Sequence, residues 1–127
     1  MMDQKIIDTN VFLRHLLQDI PDQSAIATET IRDIEDGKMT GLMSILVINE
    51  LIWILEKYYK LKRNIYLPKL AQLLDLDHLK VIEAKKDQIE NILEKMRSKK
   101  IDFTDIYLKE IKGEAQIISF DEDFGKI

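Results

Sequence analysis

Four groups of acidic residues stand where their types and spacing could do metal or acid–base chemistry. Asp8 directly follows Lys5-Ile6-Ile7, and Asp121 follows Ile117-Ile118-Ser119-Phe120. Each could equally be a helix cap or a turn residue, since Asp is common at both. Glu50 lies in the stretch Ile45–Leu55, where only Asn49 and Glu50 are polar. Its neighbours three and four residues away are Leu46, Val47, Trp53 and Ile54, all apolar. That spacing predicts a carboxylate on a buried face, which is costly unless paired or metal-bound. The bland alternative is a helix crossing the surface obliquely with Glu50 at its rim. The fourth group, Asp102-Phe103-Thr104-Asp105, opens a helix, where Asp102 could serve as N-cap and Asp105 in the first turn.

Were Asp8, Glu50, Asp105 and Asp121 to converge, two ionised carboxylates about 5 Å apart would repel by roughly 3 kcal/mol at an effective dielectric near 20. Such repulsion raises pKa values or calls for a cation. Oxygen-only ligands favour Mg²⁺ or Mn²⁺ over zinc. An ion of that kind can generate hydroxide from bound water and stabilise charge on a phosphodiester.

The elements that must position these acids follow from hydrophobic spacing. Short strands are predicted at Gln4–Ile7, Thr40–Met43, Leu79–Ile82 and Gln116–Phe120. Helices are predicted from Val11 onward, from Pro21 to Gly37, from a cap at Ser44 to Tyr58 or Tyr59, over Tyr66–Leu74 with Pro68 in its first turn, over Asp87–Met96, and from Asp102 to near Gly113. Alternating strands and helices imply an α/β fold with a parallel sheet covered on both faces. Ligands of such sheets bind beyond the carboxyl ends of the strands, where Asp8 and Asp121 would lie. If the first and last strands are neighbours, both carboxylates face one crevice.

The 127 residues suit a single domain, with 46% hydrophobic and 33% charged residues, a globular composition. No cysteine is present, which removes disulfides, thiolate metal sites and cysteine nucleophiles. The uninterrupted apolar runs, such as Ile45–Ile48 and Leu51–Leu55, are far short of the ~20 residues of a membrane span. Met1-Met2-Asp3-Gln4-Lys5 has no secretory-signal pattern, so a cytoplasmic location is expected. His15 and His78 are too far apart for a helical zinc motif, and both read as structural or exposed. Trp53 reads most simply as core packing. A net charge of −4 means that any nucleic-acid contact must use a local basic patch.

Four pieces, in order, resemble the PIN-domain family, in particular the VapC-type toxins of toxin–antitoxin pairs. They are Ile7-Asp8-Thr9-Asn10-Val11-Phe12-Leu13, the segment Ser44–Leu55 around Glu50, Asp102-Phe103-Thr104-Asp105, and Ser119-Phe120-Asp121-Glu122-Asp123-Phe124. The resemblance covers essentially the whole chain, residues 1–127. It implies a three-layer α/β/α sandwich around a mainly parallel sheet of four or five strands. It implies a Mg²⁺- or Mn²⁺-dependent ribonuclease cutting RNA through metal-activated water. Asp8, Glu50, Asp105 and Asp121 would form the catalytic metal cluster, Asp102 and Asp123 would be auxiliary acids, and Asn10 and Ser119 would orient the carboxylates. It further implies a homodimer and a small antitoxin whose tail blocks the acidic cleft. The pattern departs from many relatives after the third acid, where this chain carries Ile106-Tyr107-Leu108-Lys109-Glu110 in place of small residues.

Two basic segments could hold a polyanion beside an acidic site. Lys57-Tyr58-Tyr59-Lys60-Leu61-Lys62-Arg63 combines four positive charges with two aromatic rings. Lys95, Arg97, Lys99 and Lys100 lie just ahead of Asp102. Cationic contacts to phosphate and aromatic stacking on bases commonly hold single strands. Arg14, one helical turn past Asn10, is a further phosphate-contact candidate.

Other readings fit less well. A haloacid-dehalogenase-like enzyme needs a second Asp two residues after the first, where this chain has Asn10. A receiver domain wants paired acids after its first strand and an Asp after its third, where this chain has Asp8 alone and then Glu83. The serious alternatives are an inactive PIN-like binding or scaffold module, and an RNA-processing nuclease outside any toxin–antitoxin system.

Overall fold

Three short strands run parallel: β1 (Gln4–Ile6), β2 (Thr40–Met43) and β3 (Leu79–Val81), in the spatial order β1-β2-β3. They belong to a computed structural model that describes residues 3–121. Ile6 pairs with Leu42, and Met43 with Val81, so all three strands end at one edge of the sheet. The helices are α1 (Thr9–Leu17), α2 (Pro21–Glu35), α3 (Ile45–Trp53), α4 (Arg63–Leu74), α5 (Lys86–Ser98) and α6 (Phe103–Ile111). A π-helical stretch, Ile54–Tyr58, continues α3. The α/β class with a parallel sheet is as the alternating pattern predicts.

Local chemistry explains most boundaries. Pro21 opens α2, where its missing N–H is no loss. Ser44 caps α3 by accepting the Leu46 N–H at 3.1 Å. Gly41 in the central strand permits close packing: a Cβ there would lie 2.6 Å from Ile34 Cδ1 of α2. The core gathers Phe12, Ile34, Met43, Ile48, Leu70 and Ile89, all fully buried. α1 packs on α2 and α3, α4 on α5, and α6 on both α5 and α3.

Three expectations need correction. The sheet has three strands among the described residues, not four or five. Gln116–Phe120 forms no ladder; Ile118 is 99% exposed and Phe120 is fully exposed. A period-2 pattern marks a segment able to pair, but a strand exists only once its backbone meets an edge. α4 begins at Arg63, so Pro68 is its sixth residue rather than part of its first turn.

The third correction concerns α3. Its core face is Ile45, Ile48, Leu51 and Ile52. Leu46 is 76% exposed and Trp53 60% exposed, and Glu50 on the same stripe is exposed as well. A helix apolar on nearly every side cannot turn all of them inward, so apolar neighbours did not mean burial here. Glu50 therefore sits on an outward face, and Trp53 is not core.

Candidate active site

The carboxyl edge of the sheet carries the first acid. After Ile6 the chain continues through Ile7, whose N–H donates to Leu42 O at 3.0 Å, and reaches Asp8. Asp8 is the N-cap of α1, and its Oδ1 accepts the Thr9 N–H at 2.8 Å. Ser44 holds the equivalent place after β2, since Ile6 pairs with Leu42. α3 therefore starts beside α1, against which it packs.

The α3–α6 contact supplies the next two acids. Thr104 Oγ1 donates to Asn49 Oδ1 at 3.2 Å. Glu50 and Asp105 each follow one of these bonded residues in the chain, so one hydrogen bond ties together the turns that carry them. Asp8 and Glu50 are exposed, and neither enters an ion pair among the described residues. Asn10 is exposed on the first turn of α1, one position past buried Thr9.

The remaining acids are placed differently. Asp102 is the N-cap of α6 but makes no side-chain cap bond; its Oδ1 accepts from Arg63 Nη2 at 3.3 Å. Asp121 is exposed, outside the strands and helices, and its N–H donates to Ser119 Oγ at 2.9 Å. Ser119 thus engages the backbone of Asp121. Asp123 lies outside the described residues.

Glu83, which the acid pattern passed over, stands at the carboxyl end of β3. Ser44 Oγ donates to Glu83 Oε2 at 2.6 Å, and the Ile45 N–H donates to Oε1 at 2.8 Å. The Ser44 bond comes first among the causes that hold the Glu83 carboxyl below its ordinary range. Glu83 is a second cap on α3. Its position immediately after Leu79–Ile82 was the available signal, by the same rule that singled out Asp8.

The two basic segments, separate in sequence, meet in space. Lys62, Arg63, Arg97, Lys99 and Lys100 line one groove of about 750 Å³ between α4 and the end of α5. Lys62 and Lys100 are exposed there, as is Lys99. Lys60 is also exposed, with a left-handed φ of 56°. Lys57 lies 3.8 Å from Glu56, and Tyr58 is exposed beside it. Arg14 is committed internally: its Nη1 binds both Asp19 carboxylate oxygens at 2.7 Å and its Nη2 donates to Tyr59 Oη at 3.4 Å. Arg63 lines the groove too, but its guanidinium is bound to five acceptors within the chain.

Carboxylate oxygens are suitable donors for a hard divalent cation. Among the described residues, however, no three acidic or histidine side chains come together to hold one. Asp8 caps α1, Glu50 stands on α3, which packs on both α1 and α6, Asp105 is in the first turn of α6, and Asp121 lies outside the strands and helices. The described residues do not by themselves complete an ion site. Nor is any helix among them long and apolar enough to cross a membrane.

The structure thus combines a parallel α/β sheet, with Asp8 and Glu83 beyond its carboxyl edge, and a basic groove between α4 and the end of α5. The chain matches the PIN domain family over residues 5–127 and belongs to that family. PIN domains are generally nucleases, and they generally use divalent metals. Neither the curated proteins nor the solved structures compared with the chain gave a match.

Proposed function

We propose that this chain is a Mg²⁺- or Mn²⁺-dependent endoribonuclease, the toxin of a type II toxin–antitoxin pair of the VapC type. Asp8, Glu50, Asp105 and Asp121 are its catalytic, metal-holding acids, and Asn10, Asp102, Ser119 and Asp123 support them. RNA enters along the groove formed by Lys62, Lys99 and Lys100, with Lys57 and Lys60 on its approach. The observation that supports this reading is the Thr104–Asn49 bond, which joins the Glu50 and Asp105 turns of a PIN domain. A small antitoxin covering the acidic edge and a homodimeric state belong to the same proposal, as does a cytoplasmic location.

One observation favours a second reading, an inactive PIN-like binding module: the described acids do not form a group of three. Cleavage of a labelled structured RNA separates the two. The purified protein is incubated with Mn²⁺, Mg²⁺ or EDTA, beside an Asp8→Asn variant. Metal-dependent cutting lost in Asp8→Asn supports the nuclease. Binding without cutting supports the module. Equal cutting by both proteins removes Asp8 from the site.

A further inference from the structure

Arg63, the first residue of α4, looks from sequence like one more surface cation in a basic run. Its side chain is only 21% exposed. Nη1 donates to three main-chain carbonyls, Met96 O at 3.2 Å, Lys99 O at 3.1 Å and Ile101 O at 2.8 Å. Nε donates to Glu56 Oε2 at 3.3 Å, and Nη2 to Asp102 Oδ1 at 3.3 Å. The carbonyls lie at the end of α5 and along the connection to α6. The last carbonyls of a helix have no partner within it, and a cation there also meets the negative end of the helix dipole. A planar guanidinium can serve such divergent acceptors at once, whereas a lysine ammonium cannot match its fork.

The guanidinium is itself held. Tyr66, buried on α4, donates its hydroxyl to Glu56 Oε2 at 2.5 Å, the same oxygen that receives Arg63 Nε. Glu56 comes from the π-helical continuation of α3. One hydrogen-bonded cluster therefore joins the continuation of α3, α4, the end of α5 and the N-cap of α6. Two residues beyond Asp102 is Thr104, bonded to Asn49, and next is Asp105.

We infer that Arg63 is a positioning residue for the acidic edge: it fixes the α5–α6 connection so that the first turn of α6, with Thr104 and Asp105, meets Asn49 and Glu50 of α3. It acts through the connection and does not touch the RNA. The inference rests on the nuclease reading for its catalytic consequence, while its structural half stands alone.

The test uses the full chain and the variants Arg63→Lys and Arg63→Ala, with the core variant Ile31→Val as a control for lost stability. Two readouts are taken well below each melting temperature: amide exchange over residues 99–105, and kcat and KM for RNA cleavage. Faster exchange at residues 99–105, with kcat down on the order of 100-fold in Arg63→Ala and KM nearly unchanged, is the expected result; a misplacement of about 1 Å has an effect of that size. Arg63→Lys is expected to recover little, and guanidinium ion added to Arg63→Ala to recover part. Unchanged exchange over 99–105, or the same kcat loss in Ile31→Val, overturns the inference. A rise in KM with kcat unchanged also overturns it, by making Arg63 an RNA contact. If wild-type protein cuts no RNA, the nuclease reading and the catalytic half fail together, and amide exchange still decides whether Arg63 orders the first turn of α6.

Discussion

Thr104 on α6 and Asn49 on α3 lie 55 residues apart in the chain and share a hydrogen bond of 3.2 Å where the two helices meet. Each directly precedes an acidic residue, Asp105 and Glu50. The bond is exposed, so its value to folding is modest, about 1 kcal/mol or less. Its value to geometry is greater, because it links the only two helices that carry these acids.

Thr104→Val keeps the shape of the side chain and removes the donor. Stability should fall by no more than about 1 kcal/mol. RNA cleavage should fall by at least about 10-fold, since orientation of reacting groups is more demanding than folding. Thermal melting beside initial cleavage rates checks both.

Asp8 caps a helix, and the proposed function gives it a second, separable role as a metal-holding acid. As N-cap of α1 it accepts the Thr9 N–H. Asn caps about as well as Asp, whereas Ala costs about 1 kcal/mol. Asp8→Asn should therefore melt like wild type yet lose cleavage, and Asp8→Ala should lose both stability and cleavage. Unfolding curves of the two variants, measured together, separate cap from catalyst.

Lys62 and Lys100 reach one groove from different segments. The double variant Lys62→Gln, Lys100→Gln should raise KM for RNA and leave kcat nearly unchanged. Removing two phosphate contacts should also reduce the salt slope of single-stranded RNA binding by roughly 1.4. Binding titrations across a salt series provide the check.

Glu83 links acid stability to the start of α3. Its carboxyl titrates below its ordinary range because Ser44 and the Ile45 N–H bind the ionised form. The stabilisation is fully present above the unfolded-state pKa, about 4.3, and disappears as pH falls through the lower folded-state value. Glu83→Gln should flatten the dependence of melting temperature on pH below about pH 4.3, which a melting series over acidic pH will show.

His15 changes stability in a nearby window. Burial lowers its pKa, and its Nδ1 lies 3.0 Å from Thr28 Oγ1. The neutral ring is favoured in the fold, so stability is retained above about pH 6.5 and declines as pH falls through the folded-state pKa. His15→Gln should remove that slope, and ring-proton NMR titration of wild type should place the midpoint below the unfolded value.

Much of this protein was legible in residue order. The alternation of strands and helices follows from apolar spacing, and Asp8 at the end of a strand and Ser44 as a cap are local properties that a few adjacent residues decide. The order of the four acidic pieces also points to the PIN family, which the match over residues 5–127 supports. Other features depended on what lies across the fold. Apolar neighbours suggested a buried Glu50, but only packing decides which stripe of an all-apolar helix faces inward, and Leu46, Glu50 and Trp53 face out. Arg63 read as a phosphate contact because charge is visible in sequence, whereas its acceptors at Met96, Lys99 and Ile101 become neighbours only through the packing of α4 on α5. Pairing of Gln116–Phe120 likewise depends on a distant edge. Local rules set the elements and the types of residue at their ends; long-range packing decided which ends meet, because burial and hydrogen bonding are shared between segments that the chain holds far apart.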